Sequence, residues 1–133
     1  MESIEIDVDT SQHQMVDITD ALRRFCRGQA DGLVNVFVPH ATAGLAIMEM
    51  GSGSEGDLKD ALDRVLPRDD RYRHAHGSPG HGADHVLPAL ISPSVTIPVL
   101  GGGPALGTWQ SVVLVDLNTD NSRRIVRFSF NPA

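Results

Sequence analysis

The sequence holds a single cysteine, Cys26, so no disulfide can form within the chain, and a reducing compartment is the expected setting. No apolar run reaches the roughly 18 residues that cross a bilayer, which argues against a membrane partner. The opening Met1-Glu2-Ser3-Ile4-Glu5 lacks the basic and apolar regions of a secretory signal, and a cytoplasmic location is expected. Lysine is nearly missing: Lys59 stands alone beside ten arginines. Lys and Arg together number 11 against 17 Asp and Glu, a formal charge of −6, and that shortage of basic charge disfavours nucleic acid as a partner. There are no cysteine pairs of the zinc-finger kind, no H-E-x-x-H helix pattern, no internal repeat and no low-complexity tail.

What is present is an ordinary globular composition, 41% hydrophobic and 21% charged, over 133 residues. That length suits one domain, residues 1–133, burying roughly two thirds of its unfolded surface. It is small for an enzyme that closes a deep pocket alone, so a site shared between subunits is a natural hypothesis.

Ser3–Val8 alternates apolar and acidic residues as a half-buried strand does, and Met15-Val16 reads as a second, short one. Asp17–Ala30 reads as a helix capped by Asp17 and stopped near Gly28, with Ile18, Leu22, Phe25 and Cys26 on its inner face. Cys26 on that stripe is a core residue rather than a nucleophile. Leu33–Val38 and Ala43–Met48 are strands. Ser54 with Asp57 forms a weak capping pair before a helix whose inner face is Leu58, Ala61, Leu62, Val65 and Leu66, closed by Pro67. The polar stretch 67–82 reads as a loop. Ala83–Ile91 follows as a short helix with Pro88 tolerable only in its first turn. Val95–Leu100, Thr108–Leu117 and Arg124–Phe130 are three strands joined by short turns. Hairpin-length connections and segregated helices predict an α+β fold of two layers, a mostly antiparallel sheet with helices on one face.

Six histidines stand out, four of them between positions 74 and 85. A neutral imidazole is the commonest metal ligand, and a protonated one binds phosphate or relays protons. The plain alternative is that these are solvated loop residues. His40 sits apart, just beyond a strand end, where it is either a displayed reactive group or a satisfied structural histidine. Glu49 is an isolated carboxylate after a strand, a candidate general base or metal ligand, or simply a loop residue in water. Arg123 and Arg124 begin the last strand on opposite faces, so one of them at most faces a site. Trp109, the only tryptophan, reads as core more readily than as a ligand platform.

Pro39-His40-Ala41-Thr42-Ala43-Gly44-Leu45-Ala46-Ile47-Met48-Glu49 resembles the H-T-[ST]-A-x-L-x-[IL]-N-E segment of the YjbQ family. Tyr72-Arg73-His74 followed by His85 resembles its Y-x-H…H segment, and Ile97-Pro98-Val99 with Leu106-Gly107-Thr108-Trp109-Gln110 its I-P-V…L-G-T-W-Q core. Ser122-Arg123-Arg124-Ile125 is similar to its closing strand. The resemblance implies a homotrimer with a polar site near subunit boundaries. It implies His40, His74 and His85 as metal ligands and, with Glu49, as catalytic groups. Arg124, Thr108 and Gln110 are the implied cofactor- or ligand-binding groups. Three imidazoles suit a zinc-like divalent metal, with bound phosphate or sulfate as the alternative occupant. The implied activity is a secondary thiamine-phosphate synthase, a transferase joining an aminopyrimidine pyrophosphate to a thiazole phosphate. A small phosphorylated substrate is thus the expected partner. The competing reading is a non-catalytic trimer that binds metal or an anion. His13, His76 and His81 lie outside these motifs and carry no expected role. The chain departs from the pattern at Ala41 and Met48, which removes polar groups beside the expected acid.

Overall fold

The computed structural model describes residues 1–133. The elements run β1 (Glu2–Asp9), β2 (Met15–Asp17), α1 (Thr19–Cys26), β3 (Gly32–Phe37), β4 (Gly44–Met48), α2 (Ser54–Val65), α3 (His81–Leu90), β5 (Ser94–Leu100), β6 (Gly103–Pro104), β7 (Ser111–Val115) and β8 (Arg123–Pro132). The fold is α+β and its strand pairs are antiparallel. Only β5 and β6 form a hairpin; the short turn after β7 leads to β8 in the other sheet, so the remaining pairs join strands far apart in sequence. The strands divide between two sheets, one ordered β1-β8-β3-β5-β6 and one ordered β2-β7-β4. No helix is long and apolar enough to cross a membrane.

The alternation in β7 explains the layering. Val112 and Leu114 join the core formed with Val34, Val36, Val126 and Phe128 of the larger sheet. Val113 and Val115 point the other way and pack with Leu62 and Leu66 from the α2 end and Ala83 and Leu87 of α3. A strand apolar on both faces must be covered on both, and the small sheet is the middle layer. Helix α1 contributes Leu22, Phe25 and Cys26 to the first core, and burial pushes the Cys26 thiol up.

Several details differ from the sequence reading. Helix α1 stops at Cys26 rather than Ala30, and Gly28 follows with φ +82° in the left-handed region. Asp17 accepts the Thr19 N–H at 2.9 Å, while the Ser54–Asp57 capping pair does not form. Val65 is exposed instead of lining the inner face of α2. Helix α3 begins at His81, so Pro88 lies well past its first turn. Trp109 is 73% exposed, because β7 starts only at Ser111 and Gly107–Gln110 is a turn. In that turn the Gly107 N–H is donated to Gln110 Oε1 at 2.7 Å.

Candidate metal centre

The stretch 67–82 is polar, yet it is fastened at several points. Arg68 grips both oxygens of Asp84 and donates to the Leu117 carbonyl at 3.2 Å. Asp84 is buried on α3, and Asn118 donates a third bond to it at 2.9 Å. Tyr72 donates its hydroxyl to the Pro67 carbonyl at 2.7 Å. Gly82 completes the closure: a Cβ there would stand 2.5 Å from Tyr72 Cβ and 2.6 Å from the His74 carbonyl oxygen. Only a residue without a side chain lets α3 come this close to the His74 strand of loop. Gly82→Ala is expected to cost about 1–3 kcal/mol, as overpacking does, read by urea denaturation. A stability within about 0.3 kcal/mol of the parent would show that the loop moves aside freely.

This closure gathers imidazoles. His74 and His85 stack with ring centres 4.2 Å apart, and His81 meets His74 edge-on at 4.7 Å. His76 lies 4.5 Å from His74 and 4.8 Å from His81. One nitrogen from each of His74, His81 and His85 falls within 4.8 Å of the others. The Nε2 atoms of His81 and His74 stand 3.0 Å apart, and His81 Nδ1 is 3.1 Å from Asp120 Oδ2. Burial, then neighbouring imidazoles, pushes the His74 and His85 pKa values below the ordinary histidine value; for His85 the adjacent Asp84 opposes this. Both rings are therefore mostly neutral at pH 7, the form that ligates a metal. The cluster opens on a cavity of about 340 Å³ whose lining includes Arg68, Asp70, His74, His76, Ser78 and His81.

Two nitrogens 3.0 Å apart hold either a shared proton or a common ion. Nitrogens about 2.0–2.1 Å from a tetrahedral ion are about 3.4 Å from one another. The His74–His81 pair, at 3.0 Å, lies just inside that spacing and the full trio stays within 4.8 Å, so its side chains would draw in around an ion. An all-imidazole set favours zinc-like ions over magnesium or calcium.

The trio is not the one expected. His74 and His85 are present, but the third member is His81, from the set without an expected role. His76 joins the cluster as well. His40 lies elsewhere, beside Arg124. Its Nε2 accepts the Ile125 N–H at 2.9 Å, where β8 has run past the end of β3 and that donor has no strand partner. Burial, then the Arg124 charge, lowers the His40 pKa while Asp116 raises it. Within one chain His40 is thus a neutral, satisfied acceptor.

Arg124 is also occupied. It is 2% exposed, donates twice to Asp116 at 2.7 and 2.9 Å and once to Thr42 Oγ1 at 2.8 Å. Within this chain its fork is filled by a buried carboxylate, leaving no open space there that a phosphate could enter. Arg123, on the opposite face, is exposed as alternation requires. Glu49 accepts a bond from Ser52 at 3.2 Å, and neither it nor Thr108 nor Gln110 lines the cavity. Sequence reasoning missed His81, Asp120 and Asn118. The crowding of histidines pointed to the first, while the other two sit in a turn with no motif of their own.

Known proteins share this arrangement of elements. The profile of the family described as UPF0047 protein YjbQ-like matches residues 3–130. A UPF0047 protein of Mycobacterium tuberculosis is 68% identical over 130 residues, covering 98% of each chain. One from Archaeoglobus fulgidus is 34% identical over 113 residues, covering 85% of this chain and 88% of its own. A hypothetical protein of Aeropyrum pernix superposes with a TM-score of 0.90 at 26% identity, over 100% of both chains. An uncharacterised YjbQ/UPF0047 protein of Clostridium acetobutylicum gives 0.86 at 30%, over 96% of this chain and 99% of its own. The chain belongs to the YjbQ-like UPF0047 family.

Proposed function

We propose that the protein binds a zinc-like divalent ion through His74, His81 and His85 and acts on a phosphorylated small molecule held in the adjoining cavity. The observation that carries this reading is the convergence of three imidazole nitrogens within 4.8 Å, two of them on residues, His74 and His81, that line the cavity. The reaction that the YjbQ resemblance implies is the joining of an aminopyrimidine pyrophosphate to a thiazole phosphate with release of pyrophosphate. Such substrates bring several negative charges to a chain of formal charge −6. An ion bound by three neutral imidazoles keeps its full positive charge, and there it would neutralise charge on the leaving pyrophosphate. The chain's own groups do the rest. His76, exposed at the rim, is placed to donate to an incoming phosphate oxygen. The cavity volume lies at the lower end of the range for small-molecule sites.

A second reading has a specific observation behind it. Arg68 is engaged with Asp84, Arg124 is sealed against Asp116, and Asp70 lines the cavity. Apart from a bound ion, little fixed positive charge faces a phosphate. That favours a protein that binds metal without turnover.

One preparation separates the two. Purified protein is assayed for bound metal by elemental analysis and for thiamine phosphate from both precursors. The transferase reading expects about one ion per chain and product formation that a chelator abolishes. Bound metal with no product at any enzyme concentration leaves the binding reading. We also infer a homotrimer in the cytoplasm, and light scattering of the same sample is expected to give the mass of three chains.

A further inference from the structure

We propose that Asp120 is the positioning residue of this centre: it fixes the tautomer and orientation of His81, and the turn between β7 and β8 thereby sets the affinity of the site for its ion. The proposal rests on the metal reading above. It starts from one contact, His81 Nδ1 to Asp120 Oδ2 at 3.1 Å. An ionised carboxylate only accepts, so Nδ1 carries the proton and Nε2 is left with its lone pair. That lone pair points at His74 Nε2, 3.0 Å away. The ring is thus held in the one tautomer that lets Nε2 join His74 in ligating an ion.

The carboxylate is itself held. The Asp120 and Asn121 N–H groups are donated to Asn118 Oδ1 at 3.0 and 3.2 Å. The same Asn118 side chain donates through Nδ2 to Asp84, the residue before His85, at 2.9 Å. One amide therefore ties the carboxylate behind His81 to the helix turn that carries His85. Neither His81 nor Asp120 falls in the segments that resemble the family motifs, so the pair is an addition to His74 and His85. A carboxylate hydrogen-bonded to a ligating imidazole orients the ring and makes it a better donor, and its loss costs about 10–100-fold in metal affinity.

The test uses the full chain, with Zn²⁺ and Co²⁺ as probes. Asp120 is exposed, so Asp120→Ala is expected to leave the melting temperature of the metal-free protein unchanged. It is expected to raise the Kd for both ions about 10–100-fold and to alter the visible spectrum of bound Co²⁺. Asp120→Glu is expected to restore most of the affinity. Wild-type protein that binds neither ion overturns the metal reading and this one with it. Wild-type binding that Asp120→Ala leaves unchanged, in affinity and in Co²⁺ spectrum, overturns this one alone. A fall in metal-free melting temperature with no rescue by glutamate marks a structural role and also overturns it.

Discussion

Asp116→Ala is expected to destabilise the protein by about 3–5 kcal/mol in guanidinium denaturation, the cost of leaving one member of a buried ion pair alone. Asp116 and Arg124 are fully and almost fully buried, with two bonds between them. Asp116 also accepts from Thr10 Oγ1 at 2.6 Å and from the Asn118 N–H at 3.1 Å. Removing the carboxylate strands a guanidinium that cannot shed its proton and takes an acceptor from two further donors. Against a total stability of about 5–15 kcal/mol for a domain, that is a large share. The double variant Asp116→Leu with Arg124→Met removes both charges and is expected to be less destabilised than Asp116→Ala alone. A cost below about 1 kcal/mol for Asp116→Ala would mean that water or another group reaches Arg124.

The same pair shows where sequence reasoning stops. Alternation correctly puts Arg123 and Arg124 on opposite faces, because it follows from the period of a strand. It does not say which face is core, nor that Asp116, on the far side of a turn, fills the inner one. Some readings that rest on local patterns hold up in the same way, the stripe of Leu22, Phe25 and Cys26 and the closure of α2 near Pro67, although Val65 and the Ser54–Asp57 cap fail. Those that need a partner from elsewhere in the chain do not. For His40 the sequence leaves a displayed group and a satisfied structural histidine both open, and what decides between them is the Ile125 N–H, 85 residues on, which takes it as acceptor. His81 looks like a bystander because its meaning comes from Asp120 and from the close approach that Gly82 allows. Trp109 reads as core from its size alone, and the turn that Gln110 closes leaves it in solvent. Motif matching favoured His74 and His85 over their neighbours, whereas simple crowding had marked all four.

His81→Ala and His40→Ala are expected to part company, and the contrast decides which histidines make the centre. His81 supplies one of three nitrogens, with the tautomer that ligation requires. Its loss removes a metal–nitrogen bond outright and leaves two ligands, so the Kd for Zn²⁺ is expected to rise by more than about 100-fold, beyond the range typical of an outer-sphere partner. His85→Ala and His74→Ala are expected to do the same, since no member of the set is redundant. His40→Ala touches none of these atoms. It removes the acceptor of the Ile125 N–H and is expected to cost about 1 kcal/mol of stability, with Zn²⁺ affinity within twofold of the parent. Isothermal titration on the four variants, paired with urea denaturation, reads both quantities. Should His40→Ala instead lose Zn²⁺ as His81→Ala does, His40 would have to reach an ion site from another chain. The set implied by the family resemblance would then return as one assembled between subunits. Should His81→Ala bind Zn²⁺ like the parent, His74 and His85 would be completed by another group, with His76, its ring centre 4.5 Å from that of His74, the nearest remaining imidazole in the cluster.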